Sequence, residues 1–177
     1  MNPYLLLAKQ AIESYIKARK IIAPPEDLSK EFFERKAGVF VTINTKYKIQ
    51  NTKYELRGCI GTYLPTRINI AEEIIRNAIA AATEDYRFGP VQEKELSSLS
   101  YTVYILDKPE LVKDIKELNP QKYGIIVKTE IKSGLLLPDL DGVDTIEKKI
   151  TICCQKGGID PTKEKIFFYR LTTEKYQ

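Results

Sequence analysis

Arg57, Cys59, Asp85 and Arg87 are residues of this sequence whose types and spacing can do chemistry. The first two sit in Leu56-Arg57-Gly58-Cys59-Ile60-Gly61-Thr62, at the end of a strand-like run from Lys53 to Ile60. In an extended chain side chains alternate between faces. Leu56, Gly58 and Ile60 then share one face, with a gap at Gly58 where a helix can approach closely. Arg57, Cys59 and Gly61 share the other, which places a guanidinium beside a thiol. A nearby cation favours the thiolate, the nucleophilic form of cysteine. Backbone N–H groups around Gly58 and Gly61 can form an anion-binding nest or an oxyanion hole. The same residues have a plainer reading, in which Cys59 is a small buried apolar side chain. Arg57 either holds a bound carboxylate or phosphate bidentately or pairs with an internal acid such as Asp85 or Glu84. The Asp85–Pro90 loop is either a wall of the same site or helix-end chemistry, with Arg87 on the last carbonyls and Phe88 in the core.

Composition removes several functions. Histidine is absent, and with it the commonest general base, the commonest zinc ligand and any Cys-His or Ser-His dyad within one chain. The three cysteines, Cys59, Cys153 and Cys154, are odd in number, and two are adjacent. They form neither a disulfide framework nor a C-x-x-C zinc site, so no metal is expected. Asp139, Asp141 and Asp144 around Gly142 loosely match a calcium loop, but Pro138 and a helix cap explain them better. Nucleotide-binding and kinase signatures are missing, and no cofactor is expected. The net charge is +4 and the pI about 8.8, with lysines scattered among acids, so nucleic acid is not an expected partner. Hydrophobic residues make up 43% and charged residues 29%, as in a soluble globular protein with a true core. No apolar run reaches the roughly 18 residues of a membrane span. The amino terminus lacks a signal-peptide layout, and a cytoplasmic location is the expectation. The single Met, many Ile and abundant Lys and Glu fit a thermophilic source.

The elements that position these residues follow from pattern. Asn2-Pro3 opens a helix to about Lys20, with Leu5, Ala8, Ile12 and Ile16 on one stripe, stopped by Pro24-Pro25. Ser29 to Lys36 forms a short helix. Val39–Ile43 is a strand, Asn44–Thr52 a turn, and Lys53–Ile60 its antiparallel partner. Asn69–Thr83 is a strong helix whose alanines permit close packing on the strand that carries Gly58. Strands follow at Ser100–Leu106, Tyr123–Thr129, Gly134–Leu137 and Lys165–Leu171, with Lys108–Gln121 a connector. Asp144 with Glu147 has capping-box spacing ahead of a helix that carries Cys153 and Cys154 as buried thiols and stops at Gly157-Gly158. Strands outnumber helices and mostly neighbour one another. The expected class is α+β, with a mostly antiparallel sheet, flanking helices and a small subdomain within one domain over 1–177.

Four ordered motifs resemble one family: Gly38-Val39-Phe40-Val41-Thr42, Leu56-Arg57-Gly58-Cys59-Ile60-Gly61, Asp85-x-Arg87-Phe88-x-Pro90 and Gly134-Leu135-Leu136-Leu137-Pro138. They are similar to the AMMECR domain, called AmmeMemoRadiSam system protein A in prokaryotes. The resemblance covers nearly the whole chain and implies an α+β fold with a smaller subdomain. It also implies a shared pathway with Memo-like and radical S-adenosylmethionine proteins. Family members often carry one cysteine in the last helix followed by Lys-Ala-Gly. Here Cys154-Gln155-Lys156-Gly157-Gly158 follows an extra Cys153, which argues against a special role for Cys153. Two functions remain. One is a binding or accessory domain that holds a small anion or peptide around Leu56–Gly61 through Arg57, Gly58, Gly61, Asp85 and Arg87. The other is a thiol-dependent enzyme with Cys59 as nucleophile or redox residue and Arg57 as anion anchor.

Overall fold

The computed structural model of the protein describes residues 1–45, 55–140 and 142–177. Asp141 and the expected turn beyond Thr45, with the start of the following strand at Lys53 and Tyr54, lie outside the described residues. The chain divides into two compact units, Met1–Leu106 with Glu174–Gln177, and Asp107–Thr173.

The first unit opens with helix α1, Pro3–Ala18. The Asn2 side chain accepts the Tyr4 N–H (3.0 Å), and proline at the first helical position lacks only a donor that has no helical partner. The stripe Leu7, Ala8, Ala11 and Ile12 is buried. Arg19, in the left-handed region at φ 54°, ends the helix by donating its N–H to the Tyr15 carbonyl. Short α2, Lys30–Glu34, buries Phe32. Strands β1 (Gly38–Thr45) and β2 (Glu55–Thr62) follow, then α3 (Ile70–Thr83) and β3 (Leu99–Leu106). Asn44 and Thr45, expected in the turn, instead prolong β1.

β1 pairs antiparallel with both β2 and β3. Its residues alternate as half-buried sheets require: Val39, Val41 and Ile43 are fully buried, while Phe40 and Thr42 are half-buried on the other face. The buried face packs under α1 and α3. Gly58 shows how closely. A Cβ built there would lie 2.2 Å from the Ala81 carbonyl oxygen of α3, so only glycine fits beneath that backbone. A last strand, β8 (Thr173–Tyr176, numbered in chain order), completes the sheet in the order β2-β1-β3-β8. It is fixed by an Arg35–Glu174 ion pair (2.6 Å) and by Tyr176 stacked on Tyr4 at 4.0 Å.

The second unit holds β4 (Glu110–Val112), β5 (Gly124–Lys128), β6 (Ser133–Leu136), α4 (Ile146–Gly157) and β7 (Phe167–Leu171). Its sheet runs β4-β7-β5-β6, and its pairings are antiparallel. The chain is therefore α+β with two sheets. The expected connector Lys108–Gln121 contains β4, held to β7 by an Arg170–Glu110 pair (3.2 Å). The cap of α4 is Thr145, whose hydroxyl accepts the Lys148 N–H (3.2 Å), one residue later than the expected Asp144 box. Gly158, at φ 61°, closes that helix. Cys153 and Cys154 are buried, and burial pushes the Cys153 thiol up to about 11. Lys149 is fully buried, and its ammonium donates to the carbonyls of Pro120 (2.7 Å) and Tyr123 (2.9 Å). Burial pulls it down to about 8.

Two outcomes follow. Gly58→Val overpacks the β2–α3 contact and lowers stability by about 1–3 kcal/mol in denaturant unfolding. The effect of Lys149 is read from pH. Between its folded value of about 8 and its ordinary 10.5, the unfolded chain binds more protons at Lys149 than the folded one. Stability therefore rises with pH through that window. Lys149→Met removes that rise, measured as unfolding midpoints from pH 7 to pH 10 relative to the parent.

Candidate functional site

β2 is the outer strand of its sheet, and the stretch Leu56–Gly61 lies within it. Gly58 faces α3, so Cys59 faces the opposite side of the sheet and is half-buried. Its cross-strand partner is Thr42, and the Thr42 hydroxyl and the Cys59 sulfur are 3.2 Å apart. Gly61 lies opposite Phe40, and a Cβ at Gly61 would meet the Phe40 ring at 2.3 Å. The glycine makes room for that ring against β2.

Arg57 does not pair with Asp85 or Glu84. Its guanidinium grips Glu95 through Nε (2.7 Å) and Nη2 (3.0 Å) and donates to the carbonyls of Gly89 (2.9 Å) and Pro90 (3.3 Å). The fork geometry of arginine suits this bidentate grip. Glu95 is shared: it also accepts the Gln92 N–H (2.7 Å), and the adjacent cation holds its carboxyl below the usual range. Arg57 is therefore a clamp between β2 and the segment Gly89–Glu95.

The cation beside Cys59 is Arg87. It donates to the Cys59 carbonyl (3.5 Å) and is bound to Asp85 through Nε (2.9 Å) and Nη2 (2.7 Å). Asp85 is 6% exposed, and its second oxygen accepts the Cys59 N–H at 2.8 Å. The Arg87 pair, helped by the Cys59 N–H, holds the Asp85 carboxyl at about 2. A side-chain carboxylate thus occupies the donor that an oxyanion hole at Cys59 would use. Arg87 does not cap the carbonyls of α3, as one reading of the loop had it.

Four residues of this region escape sequence reasoning. Glu95 lies 38 positions from Arg57, and its local pattern, Gln-x-x-Glu, signals only a capping box. Thr42 is found only once the β1–β2 register is known. Tyr86 is 95% exposed on a loop pinned on both sides by Asp85 and Arg87. Glu73 is fully buried in α3 and accepts from the Thr62 and Thr66 hydroxyls (2.8 Å each). It also accepts the N–H groups of Thr66 (2.6 Å) and Arg67 (2.7 Å), fixing the chain that leaves β2. Its signal was available: Glu73 and Asn77 fall on the buried stripe of an amphipathic helix, where a polar residue must find partners.

The site is thus a strand edge with a carboxylate–guanidinium clasp, carried on an α+β unit. The family model AMMECR1 matches residues 5–176, and the chain belongs to that family. It is 48% identical to a Thermotoga maritima protein over 176 residues, 99% of this chain and 98% of that one. It is 40% identical to the protein TK0174 of Thermococcus kodakarensis, covering 88% of this chain and 77% of that one. A Clostridium acetobutylicum protein, CA_C1420, is 42% identical, and there the match spans 90% of this chain but only 32% of the longer relative. The crystal structure of the uncharacterized protein PH0010 of Pyrococcus horikoshii superposes with a TM-score of 0.88 at 36% identity, covering 97% of this chain and 88% of that one. Among the described residues, no helix is long and apolar enough to cross a membrane.

Asp85 gives the site an acid signature. Its folded value, about 2, is below the ordinary 3.8, so the unfolded state binds more protons between the two. Stability is present above the ordinary value and is lost as pH falls through about 2. With solvent screening at Arg87, the contribution near neutral pH is about 1–2 kcal/mol. Asp85→Asn loses that amount near neutral pH and flattens the decline in acid, as urea midpoints from pH 5 to pH 2 will show.

Proposed function

We propose that this chain is a binding or accessory domain that recognises its partner around Leu56–Gly61. Tyr86 and Arg87 form the contact surface beside the Cys59–Gly61 edge, and Arg57, Gly58 and Asp85 hold that surface in place. The observation that carries the reading is Tyr86, an almost fully exposed aromatic on a loop whose neighbours are fixed by Arg57–Glu95 and Asp85–Arg87 pairs. Aromatic and arginine side chains dominate binding energy at interfaces, and a loop already ordered loses little entropy on association. Arg87 offers a guanidinium for an anionic group on a small ligand or peptide. The partners that fit the family resemblance are Memo-like and radical S-adenosylmethionine proteins, in the cytoplasm.

The second reading, a thiol-dependent enzyme, draws on the Cys59 sulfur beside the Thr42 hydroxyl with Arg87 at the same residue. Against it stand the absence of histidine and the engagement of the Cys59 N–H by Asp85.

One experiment separates them. The chain is titrated calorimetrically with the Memo-like and the radical S-adenosylmethionine protein of its own source. Tyr86→Ala weakens binding about tenfold or more without moving the unfolding midpoint. Cys59→Ser binds as the parent does. Failure of both proteins to bind, or equal binding by Tyr86→Ala, contradicts the accessory reading. In parallel, iodoacetamide near pH 8 modifies Cys59 in the folded chain, whereas Cys153 and Cys154 react only on unfolding. A Cys59 that also reacts only on unfolding ends the thiol-enzyme reading.

A further inference from the structure

Tyr101 lines a cleft in the first unit. Leu5, Lys9 and Glu13 stand a turn apart along one stripe of α1 and form one wall. The other wall is Leu96, from the helical turn Glu93–Ser98, with Leu99 and Tyr101 from the start of β3. The cleft has a volume of about 240 Å3. Water takes roughly 30 Å3 per molecule, and an apolar cavity of roughly 150 Å3 holds benzene, so there is room for one small organic molecule.

Tyr101 is 9% exposed, and its buried hydroxyl makes no hydrogen bond among the described residues. Buried hydroxyls are ordinarily paired, because an unmade bond costs the desolvation of the group. The sheet holds the ring where it is: Tyr101 stands opposite Ile43 in the β1–β3 ladder, in the core shared with α1. Burial pushes its phenol well above the ordinary range, and the Glu13 carboxylate adds to the rise. The hydroxyl end of the ring is thus within the field of a residue that lines the cleft from α1, and it keeps its proton to donate. The remaining groups select against charge. Glu13 faces Lys9 at 3.8 Å, so the two cancel. The Ser100 hydroxyl, also in the lining, is spent on the Asn44 carbonyl (3.4 Å). An apolar wall with one unmatched neutral donor suits an uncharged molecule that brings one acceptor oxygen.

We propose that this cleft is a binding site for a small uncharged organic molecule carrying a carbonyl or hydroxyl oxygen on an apolar body. The Tyr101 hydroxyl donates to that oxygen, and the apolar body lies against Leu5, Leu96 and Leu99. A donor already stripped of water gains more from its partner than a solvated one, which is what makes Tyr101 the selecting group. This site shares no residue with the Cys59 edge and stands independently of the function proposed there.

The test titrates the isotope-labelled full chain with cyclohexanone and follows the backbone amide chemical shifts. Cyclohexanecarboxylate and cyclohexylammonium, similar in size but charged, are the comparators. Cyclohexanone binds with a dissociation constant of about millimolar, as a ligand of that size allows, and shifts the amides of Leu5–Glu13 and Leu96–Tyr101. Tyr101→Phe weakens it about fivefold. The unfolding midpoint of that variant is unchanged or raised, because the hydroxyl it removes has no partner in the fold. Ser97→Trp, at an exposed position of the lining, closes the mouth and abolishes binding. No shift at these amides leaves the cleft to water alone and overturns the proposal, as does equal binding by Tyr101→Phe or by Ser97→Trp. Tighter binding of either charged comparator overturns it in favour of a site built on Lys9 and Glu13. A lowered midpoint in Tyr101→Phe overturns it too, by showing the hydroxyl to be paired within the protein.

Discussion

The hydrogen bond from the Cys59 N–H to the Asp85 carboxylate sets the geometry of the whole region. β2 is an outer strand, and an outer strand exposes donors to any chain that comes near. Asp85 closes that edge from within. Because the Cys59 N–H points out of the sheet, Cys59 and Thr42 are not the hydrogen-bonded pair of the β1–β2 ladder. In antiparallel ladders it is the non-hydrogen-bonded pairs that bring their side chains closest. The 3.2 Å approach of sulfur and hydroxyl follows from that register. The same carboxylate binds Arg87, which returns to the Cys59 carbonyl, so one residue of β2 is held through both its backbone groups.

The clasp works because its two sides are anchored elsewhere. Gly58 admits the backbone of α3 onto β2, and the end of that helix accepts the Val91 N–H at the Ala82 carbonyl (2.8 Å). Arg57 then ties β2 to the carbonyls of Gly89 and Pro90. The loop between Asp85 and Pro90 is thus fixed at its start, its end and its side. Tyr86, Arg87, Gly89 and Pro90 are its exposed residues, and Tyr86 is the most exposed large side chain among them. A guanidinium spent on Glu95 and two carbonyls is a structural element of this edge.

Local pattern carried much of this. The period of Asn69–Thr83, the alternation of Val39–Ile43 and the gap at Gly58 each follow from residues close in sequence, and the structure has helix, strand and close approach there. Cys59 facing away from the helix follows from the same alternation. The partner of Arg57 was not legible, because choosing among Asp85, Glu84 and Glu95 needs the path of the chain after α3. The three-residue β4 and the four-residue β8 are too short to show a period, and each is defined by a distant neighbour. Thr145 in place of Asp144 is a one-residue choice between two good caps, which local pattern does not decide. Glu73 was visible as a carboxylate on an apolar stripe, but its donors come from Thr62 to Arg67, a segment with no periodicity to predict its position.

The central claim is that Asp85–Pro90 is an ordered platform in the free protein, and native-state amide hydrogen exchange tests it most directly. The Cys59 amide, bonded to Asp85, and the Phe88 amide, bonded to the Asp85 carbonyl, are the reporters. The account predicts protection of both comparable with the β1–β2 ladder amides, and loss of protection at both in Asp85→Ala while the β1–β3 ladder stays protected. Exchange of Cys59 and Phe88 in the parent at the rate of an unstructured loop would contradict it.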